Sequence, residues 1–336
     1  MKKFFKKVRR RLSSWLKILK IKSNSIILFG SPEHGNLGDH AISVAEVDFL
    51  KNNFNKSVKE FSRREFYRYK KALLHKIKET NKVFITGGGF LGDLWPDEQK
   101  FVEDVISTFP MVKICIFPQT IYFSDVKNIE NVSKIFKSHD KLLVCAREKA
   151  SFELLQNKIG LKNVCLCPDM VIGYKPKIKI EKNENIVFCF RKDKEKALSK
   201  ELVNHIEKTF DKNSIKNVST VVDHSVFMFD RNKELKQLFQ NLAEAKLVVT
   251  DRLHAMIFSA ILKVPCLAYN NVSGKVGGVY DLWLKHCNFV EMFSDADSFD
   301  LKLNKIFKNK ENLKLCELTT GFKALVSQLN EFFNKN

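Results

Sequence analysis

The segment VVTDRLHAMIF places two side chains with clear chemical uses, Arg252 and His254, where an apolar strand gives way to a helix. Thr250 and Asp251 precede them and are predicted to cap that helix. An arginine in the first turn opposes the helix macrodipole, so helix stability alone would not select it. A bound anion would resolve this conflict, and a histidine in the same positive field suits a proton carrier. We therefore predict that Arg252 binds an anion and that His254 transfers a proton.

A second group of candidates lies in GNLGDHAI, residues 35–42, which follows the apolar run IILFG. Gly35 and Gly38 permit close backbone approach, and Asn36 lies between them. Free N–H groups at such a turn favour an anion or a sugar hydroxyl. We predict a backbone cradle here, with Asp39 capping the next helix and also available to a ligand hydroxyl.

Three consecutive glycines, Gly87, Gly88 and Gly89, follow the strand KVFIT and precede Asp93 in GGGFLGD. The segment formally fits G-x-G-x-x-G, but an apolar strand occupies the region about twenty positions later where a dinucleotide site needs an acidic residue. We therefore predict no nicotinamide cofactor. The glycines and Asp93 are predicted to press backbone against a ligand or against the facing half of the molecule; the alternative is a tight turn without a ligand.

Two further arginines, Arg147 and Arg191, follow predicted strands. A guanidinium group matches the geometry of carboxylate and phosphate. Either arginine could instead form an ion pair with Asp93, Asp169 or Asp251. That alternative stays open for Arg147, whereas ligand binding is favoured for Arg191.

Short apolar runs alternate with helical stretches, which is typical of parallel sheets covered by helices on both faces. The strands predicted in a first half lie at residues 25–30, 82–86, 112–117, 142–146 and 164–167. Those predicted in a second half lie at 185–190, 218–223, 246–250 and 265–269. The helices predicted between the latter lie at 194–211, 233–244 and 251–262.

This pattern predicts an α/β protein with two Rossmann-like domains, at residues 25–175 and 183–336, joined by the charged segment 175–185. The polar candidates follow the carboxyl ends of strands, where ligands bind in open parallel sheets, so both domains should face one central cleft. The last amphipathic stretch, GFKALVSQLNEFF, can pack back on either domain.

The chain carries a formal net charge of +20, which favours anionic partners. Its lysines are dispersed over helical faces, and the sequence contains neither a known nucleic-acid-binding module nor a basic stripe with stacking aromatics. We therefore predict no nucleic-acid partner. A nucleic-acid-binding protein remains the alternative from another functional class.

Residues 1–24 form a predicted basic amphipathic helix. Its apolar positions are Phe4, Phe5, Val8, Leu12, Trp15, Leu16 and Leu19. Charges interrupt every apolar run, which argues against a spanning helix or a signal peptide. The helix either lies on an anionic membrane face through residues 1–20 or docks on its own domain.

Most of the cysteines fall inside apolar runs, where small hydrophobic residues are buried. No CxxC pair occurs, and Cys165 and Cys167 alternate along a predicted strand, so they should point to opposite faces. A shared zinc is therefore not expected, and we predict no metal site. Reduced cysteines predict a cytoplasmic protein.

Taken in order, GNLGDHAI, VFITGGGFLGD, CAREKAS, CPDM and VVTDRLHAMIFSAILKVPCLAYNN resemble the polysaccharide pyruvyl transferase family over residues 27–285. The resemblance implies GT-B-like domains, the first on the acceptor side and the second on the donor side. It implies phosphoenolpyruvate as co-substrate without another cofactor, and a sugar diol of a capsular or cell-surface polysaccharide precursor, including lipid-linked oligosaccharides, as acceptor. Such a protein would work in the cytoplasm, peripherally on the inner face of the plasma membrane. The family's Tyr-x-x-Lys style segment is stretched here to YNNVSGKVGG, whose Lys275 becomes a donor-binding candidate.

The chemistry that the resemblance implies assigns roles to these residues. Ketal formation needs an acid to protonate the methylene carbon of phosphoenolpyruvate, cations to bind its phosphate and carboxylate, and a carboxylate near the sugar hydroxyls. His254 is the predicted acid, Asp39 acts on the acceptor or base side, and Arg252, Arg191 and Arg147 bind the donor. The alternative enzyme on this architecture is a glycosyltransferase that binds the diphosphate of a nucleotide sugar with the same cations.

Overall fold

The computed structural model describes residues 2–179, 181, 183–308 and 320–334, and it contains one parallel β-sheet in each half of the chain. The first sheet has the strand order β2-β1-β3-β5-β6-β7, and β4 also pairs with β5. Its strands are β1 (Ile26–Ser31), β2 (Val58–Ser62), β3 (Lys82–Ile85), β4 (Gly88–Gly92), β5 (Ile114–Tyr122), β6 (Leu142–Ala146) and β7 (Val164–Leu166).

Strand β1 illustrates why these runs are apolar throughout. Ile27 and Phe29 pack in a cluster on one face of the sheet, and Ile26 and Leu28 pack in a second cluster on the other. All four side chains are fully buried. Because successive side chains of a strand point to opposite faces, a sheet covered on both sides needs an unbroken apolar run.

The second sheet has the order β12-β11-β10-β8-β9, again with parallel neighbours. Its strands are β8 (Ile186–Cys189), β9 (Ile215–Asn217), β10 (Leu247–Thr250), β11 (Cys266–Tyr269) and β12 (Val290–Phe293). The α-helices of both halves are α1 (Lys2–Leu19), α2 (Leu37–Phe54), α3 (Arg63–Lys76), α4 (Pro96–Thr108), α5 (Val126–Lys137), α6 (Lys149–Glu153), α7 (Lys200–Lys208), α8 (Arg231–Ala243), α9 (Leu253–Ile261), α10 (Lys275–Val279), α11 (Ala296–Lys308) and α12 (Phe322–Asn334). The chain is therefore an α/β protein with two Rossmann-like halves.

Helix α2 is buried on nearly all sides because it lies between the two halves. Ala41 and Ile42 belong to an apolar cluster with α8 and α9 of the second half, whereas Val47 and Leu50 belong to the cluster on the first sheet. A helix that is apolar all round is typical of such a buried position. Helix α2 thereby carries the GNLGD turn at its N-terminus into the region where the halves meet.

The last helix, α12, packs on the first sheet. Leu325 and Leu329 are buried there, the ring centroid of Phe333 lies 5.1 Å from that of Phe84, and Gln328 Nε2 donates to the carbonyl of Val164 (3.3 Å). Of the two placements that the sequence left open, the chain adopts the one on the first half. Residues 309–319 of the predicted second domain, and residues 180 and 182 of the predicted linker, lie outside the described residues.

Helix α1 docks on its own half through its more polar side. Ser14 and Ile18 are buried against the first half. Four apolar residues on the opposite side are 46% to 60% exposed: Leu12, Trp15, Leu16 and Leu19. The side chains of Phe4, Phe5 and Val8 lie outside the described residues. No helix in the described ranges is both long and apolar enough to cross a bilayer.

Several sequence-based elements need correction. The strand predicted at 218–223 is wrong, because β9 ends at Asn217 and the following loop pairs with the GNLGD turn instead: Val222 N donates to the carbonyl of Gly35 (2.9 Å). Helix α7 is shorter than predicted, since Ser199 caps it by accepting from Leu202 N (3.1 Å). Strands β2, β4 and β12 have no counterpart in the prediction.

The predicted side-chain directions of two neighbouring cysteines are also wrong. Cys165 and Cys167 do not point apart: their Sγ atoms and that of Cys145 all lie within 4.8 Å of one another. Strand β7 ends at Leu166, so the alternation of side chains no longer holds at Cys167. The hydrogen bond with Cys115 raises the pKa of Cys145 to about 11, and burial raises that of Cys167 strongly, which favours neutral thiols in an apolar core. All seven described cysteines are buried, and none of them forms a disulfide.

Candidate functional site

A cavity of about 460 Å³ lies between the two halves, at the carboxyl ends of strands from both sheets. We call it the cleft. The predicted residues that line it are Gly35, Asn36, Asp39, Gly87, Gly89, Arg147, Arg191, Arg252, His254 and Lys275. Parallel strands bring their carboxyl ends to one edge of a sheet, which is why residues distant in sequence meet here.

The helix cap at the GNLGD turn differs from the prediction. Asn36, not Asp39, is the N-cap of α2, since its Oδ1 accepts from Gly38 N (3.1 Å). Asp39 lies in the first turn of the helix, where its Oδ2 accepts from Asn36 Nδ2 (2.7 Å) and lies 3.7 Å from His34 Nε2. Because Asn36 satisfies the helix end, the Asp39 carboxylate is free to face the cleft.

The two glycines of this turn allow the halves to touch. A Cβ atom on Gly38 would lie 2.2 Å from Nδ1 of His254, and one on Gly35 would lie 1.9 Å from the carbonyl oxygen of Val222. Neither distance is sterically possible. The absence of a side chain at these positions, and not a positive φ, is therefore what the fold requires of them.

The GGG segment places backbone against the cations of the cleft. A Cβ atom on Gly89 would lie 2.7 Å from Arg147 Nη2 and 3.2 Å from Lys275 Nζ. Behind it, Gly87 N donates to Glu46 Oε1 (2.6 Å). Complete burial raises the pKa of Glu46 well above its usual range, which favours the neutral form of this carboxyl group beneath the turn.

The remaining candidates, Gly38, Gly88 and Asp93, do not line the cleft. Gly88 adopts a φ of +152°, which L side chains rarely adopt. Asp93 Oδ2 accepts from Ser124 N (2.7 Å) and from Asn128 Nδ2 (3.1 Å), at the beginning of α5. Asp93 therefore joins structural elements and contributes no surface to the predicted cradle.

Arg147 adopts the ion-pair alternative. It is 1% exposed, its Nη1 donates to Asp169 Oδ2 (2.6 Å), and its Nε donates to Thr120 Oγ1 (2.9 Å). The same carboxylate oxygen lies 3.7 Å from Nε2 of His254. Burial acts to raise the pKa of Asp169, but His254 and Arg147 outweigh it and hold the pKa well below its usual range. A charged carboxylate thus lies beside the imidazole, an arrangement that orients histidines in other active sites.

Arg191 and Lys275 share the carboxylate of Glu195. Arg191 donates from Nε and Nη2 to the two oxygens of Asp193 (2.9 and 3.0 Å), and its Nη2 also donates to Glu195. Lys275 Nζ donates to both oxygens of Glu195 (2.7 and 2.9 Å). Burial lowers the pKa of Lys275 to about 8, although Glu195 opposes that shift.

Arg252 differs from the other arginines of the cleft. It is 7% exposed, its Nε is buried without a hydrogen-bond acceptor, and within the described residues its guanidinium forms no ion pair. Arg252 N donates to Thr250 Oγ1 (3.0 Å), whereas Asp251, predicted as part of the cap, accepts from Arg191 N (2.7 Å). A buried cation without a partner is costly, so this position is suited to an anionic ligand.

Two acidic residues of the site, Asp193 and Glu195, received no role from the sequence, and Asp169 was considered only as an ion-pair partner of an arginine and not as a neighbour of His254. Asp169 and Asp193 each follow a strand end, in PDM and RKD, and that position is the signal that could have found them. Glu195 was placed inside a predicted helix, although it lies in a loop and its spacing from Arg191 alone suggests only a surface pair.

Comparison with known proteins agrees with the geometry. The polysaccharide pyruvyl transferase profile matches residues 36–273, from the GNLGD turn to the loop before Lys275. The chain belongs to the polysaccharide pyruvyl transferase family. Among the family's relatives in sequence, general stress protein 30 of Bacillus subtilis is 30% identical over 314 residues, covering 90% of each chain. Pyruvyl transferase 1 of Schizosaccharomyces pombe is 26% identical over 309 residues, covering 85% of this chain and 76% of the relative.

The fold of this family member is also found among solved structures. A functionally uncharacterized protein from Klebsiella pneumoniae superposes with a TM-score of 0.57 at 21% identity, covering 86% of this chain and 98% of the other. This likeness supports the GT-B-like arrangement of two Rossmann-like halves.

Proposed function

We propose that this pyruvyl transferase uses phosphoenolpyruvate as donor and forms a pyruvate ketal on a sugar diol of a capsular or other cell-surface polysaccharide precursor. The observation that supports this most is Arg252, a buried guanidinium that has no carboxylate partner among the described residues and lies two residues from His254 in the cleft. Phosphoenolpyruvate carries a phosphate and a carboxylate, so it offers two anionic groups to such a site.

His254 is the proposed acid. It delivers a proton to the methylene carbon of phosphoenolpyruvate, which becomes a methyl group, and C2 becomes electrophilic. One sugar hydroxyl adds to C2, the C2–O bond to phosphate breaks, and the second hydroxyl closes the ketal. Inorganic phosphate is released, and the two hydroxyl protons balance the proton donated to carbon and the one taken up by phosphate or solvent.

Arg252 is the proposed clamp for the phosphate that leaves, because it has the donor capacity that its neighbours lack. Asp193 and Glu195 carry as many negative charges as Arg191 and Lys275 carry positive ones, so this group adds no net charge to the cleft. Asp39, which lines the cleft beside His34, is the proposed acceptor of a proton from an attacking hydroxyl. Arg147 supports the acid indirectly, through Asp169.

We further propose that the protein works in the cytoplasm at the inner face of the plasma membrane. The exposed apolar side of α1 supports this, since Leu12, Leu16 and Leu19 are 46% to 60% exposed and Trp15, which packs edge-on against Tyr69, is still 46% exposed. Basic residues of the same helix would contact anionic headgroups.

Radiolabelled phosphoenolpyruvate, incubated with the protein and a panel of nucleotide-linked and lipid-linked sugars, tests the proposal. We expect release of inorganic phosphate and an acid-labile labelled ketal. His254→Gln should lower kcat by about 10²- to 10⁴-fold while retaining phosphoenolpyruvate binding. His75→Gln, at an exposed position in the last turn of α3, is the matched control. Release of a nucleoside diphosphate with glycosyl transfer would favour the glycosyltransferase alternative, and full activity of His254→Gln would contradict the assigned acid.

A further inference from the structure

A second cavity, of about 420 Å³, lies between α1, α3 and residues 227–229 of the second half. We call it the α1 cavity. Its cationic lining residues are Arg10, Arg11, Lys17, Arg64 and Arg68, and its aromatic ones are Tyr69, Phe227 and Phe229. None of its lining residues is shared with the cleft, so it is a separate space.

The charges of the α1 cavity are not balanced. Lys17 pairs with Glu65 (2.8 Å) and Arg64 pairs with Glu33 (2.8 Å). These glutamates are the cavity's acidic lining residues.

Three arginines of the α1 cavity, Arg10, Arg11 and Arg68, form no ion pair in the described part of the chain. Arg10 Nη1 is buried without a hydrogen-bond acceptor, although its guanidinium lies 4.1 Å above the ring of Phe227. Three guanidinium groups around one cavity, none of them paired with a carboxylate in the described part of the chain, favour a ligand with more than one negative charge.

The aromatic lining adds a second chemical requirement. The rings of Phe227 and Phe229 are stacked with centroids 5.9 Å apart, and Phe229 is 58% exposed. Exposed aromatic rings beside arginines offer apolar contact to a sugar face, a base or a hydrocarbon chain. Free inorganic phosphate would not use this surface.

The α1 cavity lies directly beside the acceptor side of the cleft. Glu33 lines the cavity, whereas its neighbours in sequence, Pro32 and His34, line the cleft. A single turn of the chain therefore separates the two spaces.

We propose that the α1 cavity binds the diphosphate of a glycosyl diphosphate acceptor while the terminal sugar of the same molecule enters the cleft. The acceptor role rests on the proposed function, but binding of the diphosphate does not. Lipid-linked and nucleotide-linked sugars share this diphosphate ester. The outward apolar side of α1 would hold the α1 cavity at a membrane surface, where a lipid-linked sugar is presented.

Calorimetric titration of the full chain tests this proposal. The probes are farnesyl diphosphate-linked N-acetylglucosamine, UDP-N-acetylglucosamine, free N-acetylglucosamine and phosphoenolpyruvate. The variant Arg11→Glu/Arg68→Glu changes two exposed arginines of the α1 cavity. The control Lys20→Glu/Lys71→Glu makes the same charge change at exposed positions outside it.

We expect at least one diphosphate probe to bind, and the arginine variant to weaken that binding by about tenfold or more, because charge-assisted hydrogen bonds are lost. The control should keep the Kd within about twofold, and phosphoenolpyruvate should bind all variants equally. Preference for the farnesyl or the UDP probe identifies the source of the ligand. Equal weakening in both variants, or no diphosphate binding by the unaltered chain, would overturn the proposal.

These results are separable from the proposed function. If phosphoenolpyruvate is not turned over but diphosphate binding is intact and depends on the arginines, the proposed pyruvyl transfer is wrong and the proposed diphosphate site is supported. If Arg11→Glu/Arg68→Glu turns over a diphosphate-linked acceptor normally and with an unchanged KM, the proposed pyruvyl transfer is supported and the proposed diphosphate site is wrong.

Discussion

Arg147 and Arg252 enter the cleft from opposite halves of the molecule, and their surroundings differ in charge balance. In the first half, Arg147 donates to Asp169 and Thr120 and is 1% exposed. In the second half, Arg252 is 7% exposed and leaves Nε without an acceptor. Both follow a parallel strand, so the position in the fold does not distinguish them.

This difference in charge balance distinguishes an arginine that supports the structure from one that is available to bind a ligand. A buried guanidinium that is fully paired is costly to disturb and has little capacity left for a ligand. One without a carboxylate gains its partner only when an anion binds. The first half thus supplies the cleft with glycine-rich backbone and a fixed Arg147–Asp169 pair beside His254, and the second half supplies the cation that lacks a partner.

The largest expected effect comes from breaking the buried pair. Arg147→Met should lower the free energy of unfolding by about 3–5 kcal/mol, because the charge of Asp169 is left buried and uncompensated. Arg252→Met is the matched control in the same cleft and should change it by less than about 1 kcal/mol. Urea unfolding followed by circular dichroism measures both.

The pH dependence sharpens this prediction. The pKa of Asp169 is held below its usual range, so its contribution to stability is present above about pH 4, the ordinary pKa, and is lost as the pH falls below that. The loss of unfolding free energy caused by Arg147→Met should therefore become smaller as the pH is lowered. An equal loss of unfolding free energy in Arg147→Met and Arg252→Met at neutral pH would contradict the proposed difference between the two arginines.

Affinity for the donor should depend on Arg252, the arginine whose replacement is expected to change stability least. Arg252→Gln should raise the KM for phosphoenolpyruvate by about tenfold or more, because a charge-assisted hydrogen bond to the donor is lost, with the melting temperature unchanged. Lys192→Gln, at an exposed position on the adjacent loop, is the control. Steady-state phosphate release measures the effect, and an unchanged KM would show that Arg252 does not bind the donor.

The smallest expected effect is a shift in a pH profile. The pKa of Lys275 is about 8, so kcat/KM for phosphoenolpyruvate should fall above that pH as the ammonium group loses its proton. Lys275→Arg should move this alkaline decrease in kcat/KM to higher pH, since a guanidinium group stays protonated. An identical alkaline limb in both proteins would exclude Lys275 as its source.

Stability should change with pH in the opposite direction. Burial of the Lys275 ammonium group costs free energy below about pH 8, and this cost is relieved as the pH rises towards the ordinary pKa of 10.5. Wild-type protein should therefore gain stability relative to Lys275→Arg over that window. Urea midpoints at several pH values measure this difference.

Local sequence pattern found most of the strands, and ten of the thirteen candidate site residues line the cleft. Apolar runs such as IILFG and LLVCA predicted β1 and β6 because a doubly covered sheet requires them. The pattern failed where a distant contact decides the local structure. Residues 218–223 look like a strand but pair with Gly35, and the glycine-rich β4 looks like a turn but pairs with β5.

The sequence by itself determined the fold class, the two-part organisation and the placement of charged residues at strand ends, because these follow from short-range periodicity. Only the tertiary structure decided which arginine is neutralised, which carboxylate lies beside His254, why Gly38 has no side chain, and on which side α1 leaves its apolar residues exposed. Each of these depends on groups far apart along the chain, whose distances are set by the packing of one half against the other and leave no periodic trace in the sequence.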